Sequence, residues 1–177
     1  YVLNGGVNNS KNPTTYWKSS NDIKLSAATR TGYTFGGWYS DSKLTKKVTT
    51  IRKGSTGNKT FYAKWTANSY TVKFNGNGST SGSMSNQSRK YGDKKALTAN
   101  AFKKTGYSFT GWNTKADGSG TAYAAGAVYK GNAALTLYAQ WKIVTYAVSY
   151  NANGGSNAPA AQTKTYGKDL TLSSTKP

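Results

Sequence analysis

The chain has 177 residues, enough for one ordinary domain or for two to three small ones. Twenty-four Lys and Arg stand against five Asp and no Glu, a net charge of +19, and there is no Cys and no His. This composition excludes disulfide staples, thiol chemistry and imidazole-based catalysis, and it favours anionic partners.

Aromatic residues make up 14% of the chain and Gly is frequent, while Pro and Met are scarce. Tyr, Thr, Val and Trp favour strands, and Gly, Asn and Ser favour turns. Mostly β structure with short helices is expected. The chain opens at Tyr1-Val-Leu-Asn-Gly-Gly6, which matches only the end of Tyr150-Asn-Ala-Asn-Gly-Gly155. The reading is that the opening strand is cut short and that the parent is longer. Tyr16-Trp17 follows, then Thr31-Gly-Tyr-Thr-Phe-Gly-Gly-Trp38 and Phe61-Tyr-Ala-Lys-Trp65.

The same segments then return. Thr105-Gly-Tyr107 lies 74 residues after Thr31-Gly-Tyr33, and Tyr138-Ala-Gln-Trp141 lies 76 after Tyr62-Ala-Lys-Trp65. Tyr146 to Gly154 echoes Tyr70 to Gly78, and Tyr166-Gly167 echoes Tyr91-Gly92. The period of about 75 residues defines three repeats. The first spans 1–67, the second, complete one 68–144, and the opening part of a third 145–177.

Within the complete repeat, Tyr70-Thr-Val-Lys-Phe74 alternates as a strand and Asn75-Gly-Asn-Gly78 as a turn. Gln87 to Tyr91 reads as a second strand, paired with the first. Residues 93–102 read as a short helix capped by Asp93, with Leu97 and Phe102 toward the core. Tyr107 to Trp112 is the third strand. A bulge at Gly111 would let Trp112 join Tyr107 and Phe109 on one face. Ala127-Val-Tyr129 reads as a short edge strand, and Ala134 to Trp141 as the last. The expected fold class is therefore α+β and β-rich: tandem β-grasp-like repeats, ββαββ with a short helix.

The combination Y-x-V-x-F-x-x-N-G, Y-G, T-G-Y-x-F-x-G-W and L-Y-A-x-W, in that order, resembles the Listeria–Bacteroides repeat, the B-repeat class of internalin-type surface proteins. The resemblance covers essentially the whole chain. It implies β-grasp modules arrayed in tandem in secreted, wall-anchored bacterial adhesins, where they act as spacers or binding modules. It also implies a secreted location at the bacterial cell surface.

Catalysis has little to work with. Asp22, Asp93 and Asp169 recur just after the second strand, where helix capping explains them, and Asp41 and Asp117 read as loop residues. No carboxylate cluster suits a metal, and no cofactor is expected. No apolar run approaches the roughly 20 residues of a spanning helix, so no membrane insertion is expected.

The recurring Trp38, Trp112, Trp65 and Trp141 read as core. Trp17 differs, because it stands where the second repeat has Gly92. Trp17 with Lys18 is therefore a candidate glycan contact. Lys46, Lys47, Arg52 and Lys53 lie in the first repeat's long loop. Arg89, Lys90, Lys94, Lys95, Lys103 and Lys104 flank the expected helix of the second. Together they could form a basic stripe for an anionic polysaccharide or host-surface glycan, or simply a solvated surface. Specific nucleic-acid binding is not expected, since the rings are needed in the core.

The leading reading is a non-catalytic stalk and adhesive module whose partners include its neighbouring repeats. The alternatives are a dedicated polyanion-binding module, for glycosaminoglycan or teichoic acid, and accessory repeats of a secreted hydrolase.

Overall fold

The computed structural model describes residues 1–176. By contact the chain divides into two units, one of residues 1–70 with 89–93 and one of 71–88 with 94–177.

In the first unit a three-stranded antiparallel sheet has β2 (Tyr33–Tyr39) between β3 (Lys47–Val48) and β5 (Tyr62–Ala67). A small pair, β1 (Ile23–Lys24) with β4 (Thr50–Ile51), lies beside it in the chain order. Ala28, Trp38, Ile51, Phe61 and Ala63 form the buried core, with Tyr1, Leu3, Phe35 and Trp65 packed against it.

A five-stranded sheet follows, its residues falling mostly within the second unit. Its strands are β6 (Ser69–Asn75), β7 (Gln87–Lys90), β8 (Tyr107–Asn113), β9 (Ala122–Tyr123) and β10 (Leu135–Ile143). Their spatial order is β7-β6-β10-β8-β9. The first strand and the last run parallel, with Val72 opposite Leu135 and Phe74 opposite Leu137. Val72, Trp112, Leu137 and Ala139 are all but fully buried. Last comes the antiparallel hairpin of β11 (Thr145–Val148) and β12 (Gln162–Thr165).

The expected bulge is present twice. In β8 the register shifts so that Gln140 faces Gly111 but Trp141 faces Phe109, and in β2 the same shift falls between Phe35 and Gly37. Gly37 and Gly111 have φ of 119° and 145°, which a side chain rarely adopts. The extra residue turns the following Trp to the face of the preceding Phe. Phe35 and Trp38 then meet at 5.3 Å, and Phe109 and Trp112 at 5.0 Å, both edge to face.

The α+β, β-grasp-like ββαββ expectation is corrected. No helix occurs among the described residues, and the fold is all-β. Residues 93–102, read as the helix, are extended and irregular. Leu97 is buried, its N–H donates to the Ala127 carbonyl, and Ala96 bridges Val128. Asn100 accepts from the Phe102 N–H through its side chain. Asp93 does not cap a helix. Its carboxylate turns back to accept the Lys90 N–H and closes the Tyr91-Gly92 turn. A helix of about ten residues is marginal by itself, and these tertiary and side-chain partners satisfy the backbone better. Val128 thus makes an isolated bridge, and the paired edge strand is β9.

Candidate functional site

Two features of the surface carry information: a joint that occurs twice, and a groove in the first unit.

The joint is built on the T-G-Y turns. Gly32 and Gly106 have φ of 79° and 75°, so their amide planes turn out and leave an open face. On Gly32 lies the ring of Tyr91, so close that a Cβ there would fall 2.1 Å from it. On Gly106 lies the ring of Tyr166, with the corresponding distance 1.9 Å. The backbone bonds match as well. Asn68 N–H donates to the Gly32 carbonyl and Tyr91 N–H to the Asn68 carbonyl, at 2.9 and 2.8 Å. Val144 N–H donates to the Gly106 carbonyl and Tyr166 N–H to the Val144 carbonyl, at 2.9 and 3.0 Å.

A cation covers each T-G-Y tyrosine. Arg30 lies 3.8 Å from the centre of the Tyr33 ring, and Lys104 lies 4.6 Å from that of Tyr107. Such contacts stabilise by about 0.5–1 kcal/mol at exposed sites. Tyr33 in turn meets Tyr91 edge to face at 5.6 Å.

The groove lies in the first unit and has a volume of about 670 Å³. Tyr1, Pro13 to Lys18, Ile51, Ser55 to Lys59 and Phe61 line it. Tyr1 donates its hydroxyl to the Pro13 carbonyl, and burial raises its pKa. Tyr16 donates to the Gly57 carbonyl, and the Lys59 ammonium lies 5.8 Å from the centre of its ring. Trp17 is 70% exposed at the rim.

Of the residues singled out in the sequence, Trp17 and Lys18 are brought next to Lys53, because Gly54 N–H donates to the Lys18 carbonyl. Arg52 is committed to Asp22 at 2.7 Å. Lys46 and Lys47 stand elsewhere, at β3 beside Tyr39. Arg89 is 1% exposed and donates to the Asp93 carbonyl, so it takes no part in a surface patch. Lys90, Lys94 and Lys95 are exposed around the Tyr91-Gly92 turn. Lys103 bridges Ser81, and Lys104 is the cation over Tyr107.

The acids close turns. Asp22 accepts from the Lys53 N–H and from Arg52, Asp41 from the Lys46 and Thr45 N–H groups, and Asp117 from Ser119. The backbone bonds, first of all, hold these three carboxyls below the usual range. Among the described residues no three Asp, Glu, His or Cys side chains group as a metal site.

Sequence reasoning missed two structural roles. Asn4 and Asn77, at φ of 48° and 47°, each reach from the first turn to the last strand. Asn4 donates to the Ala63 carbonyl, and Asn77 to the carbonyls of Ala139 and Ala116. The recurring Asn-Gly pair was the available signal. Trp65 and Trp141 donate to the Leu3 and Gly76 carbonyls at the same place.

A chain of all-β units with copied joints and turn-bound acids is a tandem-repeat protein. The profile of the Listeria-Bacteroides repeat domain matches residues 1–64, 70–140 and 146–177, nearly the whole chain. The chain belongs to that family.

Two relatives from Evansella cellulosilytica are 36% identical over 154 residues and 34% over 144, each across 80% of this chain. The first is named as a Gly-rich membrane protein and the second as a membrane protein. Internalin H of Listeria monocytogenes is 34% identical over 148 residues, 82% of this chain. The chain spans only 18%, 21% and 24% of these relatives' lengths. No helix among the described residues is long and apolar enough to cross a membrane. No solved structure matches the chain significantly.

Proposed function

We propose that the chain is a non-catalytic spacer segment of a bacterial surface protein, in which each repeat is tied to the next. The observation that supports this is the duplicated joint. Tyr91 on Gly32 and Tyr166 on Gly106 use the same ring placement and the same two backbone bonds. Each repeat is near the size at which a single core is marginal, so a tie to its neighbour adds stability that neither has alone. A surface setting is consistent with the internalin relative and with the names of the other two.

The joint predicts coupled unfolding. The Tyr91→Ala variant should turn one cooperative denaturant transition into two separable ones, read by tryptophan fluorescence. A single unshifted transition in the variant would contradict the spacer reading.

The adhesive half of the reading is supported by charge. Five carboxylates stand against 24 cations, and the bond from Gly54 N–H to the Lys18 carbonyl sets the Trp17-Lys18 segment beside Lys53-Gly54. Anionic polysaccharide is the partner that this surface suits. The chain should stay on a heparin column beyond physiological salt, about 0.15 M, where scattered exposed charges are already screened. Elution below that would reduce the basic surface to solvation.

A further inference from the structure

The complete repeat begins on β6 and ends on β10, and these two strands lie side by side and parallel. Val72, Lys73, Phe74 and Asn75 stand opposite Leu135, Thr136, Leu137 and Tyr138. Little chain separates one repeat from the next. Asn68 alone stands between the end of β5 at Ala67 and the start of β6, and Val144 alone between the end of β10 at Ile143 and the start of β11. Tension along the chain therefore reaches β6 at its first residue and β10 at its last. In a parallel pair, those two ends are pulled in opposite directions along the strands. The pair is then sheared, and its bonds must yield together instead of peeling one after another.

Two side chains prolong the pairing past the last backbone partner. Asn77, in the turn after β6, donates to the Ala139 carbonyl of β10, and Trp141 of β10 donates to the Gly76 carbonyl. Val72 and Leu137 are fully buried, which keeps water from the middle of the pair. The first unit has the same ties. Val2 bridges Tyr62 in parallel, Asn4 donates to the Ala63 carbonyl, and Trp65 donates to the Leu3 carbonyl.

We propose that each repeat is a tension-bearing clamp. The parallel pair of its first and last strands carries the force, and the Asn of the turn and the last Trp of Y-A-x-W bolt that pair. This deepens the spacer reading and rests on it: a segment that holds a surface protein away from the cell is pulled from both ends. Failure of the spacer reading shows in the Tyr91→Ala transitions, whereas failure of the clamp shows inside a single repeat.

The test is forced unfolding of the full chain along two axes. The chain has no Cys, so introduced pairs can serve as handles. Ser69→Cys with Lys142→Cys pulls the start of β6 against the end of β10. Ser69→Cys with Ala134→Cys pulls on the starts of both strands, which the parallel register sets at one end of the pair. The first axis should rupture at about two to four times the force of the second, because four residue pairs yield together instead of singly. Equal forces, or a stronger second axis, overturn the proposal. Trp141→Phe, which keeps a ring but removes the bond to Gly76, is then added to each pair. It should lower the rupture force on the first axis and leave the second unchanged. An equal loss on both axes marks Trp141 as ordinary core and overturns its part as a bolt, as does no loss on either.

Discussion

At the scale of residues, the side chains with most potential for chemistry are spent on geometry. Asp22, Asp41 and Asp117 hold turns through backbone N–H groups, which lower their pKa. A carboxyl whose pKa is lower folded than unfolded stabilises fully above the unfolded value, near 3.9. That contribution is lost as pH falls through the folded value. Without His, Cys or Glu, no side chain of ordinary pKa titrates between about pH 5 and 8. The thermal midpoint should therefore be flat over that range and decline only below about pH 4. A midpoint that moves between pH 5 and 8 would contradict this account. Lys104 is spent in the same way, as the cover of Tyr107.

At the scale of elements, the strands were legible, whereas the helix expected over residues 93–102 does not form. Tyr70–Phe74, Tyr107–Trp112 and Leu135–Trp141 alternate and carry β-formers, and each is a strand. The bulge was legible too, because Gly111 stands where the alternation of Phe109 and Trp112 fails by one residue. Residues 93–102 carry a capping acid and two large apolar residues, a pattern that fits a helix. What the local sequence does not encode is the carbonyl of Ala127, which arrives from residues far along the chain to pair with Leu97. The joints were invisible for the same reason. T-G-Y and Y-G are separately recognisable, but only the fold places the ring on the Gly.

The Asn-Gly turn shows the energetics of one such long-range tie. Asn77→Ala removes two side-chain hydrogen bonds and leaves a Cβ at positive φ, and it should cost about 2–3 kcal/mol. Asn77→Gly relieves the backbone and should cost about 1 kcal/mol less. Equal losses from the two variants in urea unfolding would show that the backbone conformation does not matter there.

At the scale of the molecule, what repeats is structural and what varies is surface. The cores of Trp38 and Trp112, the bulges, the Asn staples and the Tyr joints are copied, while Trp17 and most lysines are not. This division fits a spacer whose repeats share one scaffold and one way of joining. The joint is therefore the feature on which the account depends. Hydrogen exchange at the Tyr91 and Tyr166 amides tests it most directly, in the wild type and in Gly32→Ala and Gly106→Ala. Both amides should be protected in the wild type. Gly32→Ala should release Tyr91 and spare Tyr166, and Gly106→Ala should do the reverse. Free exchange at both amides in the wild type would contradict the account.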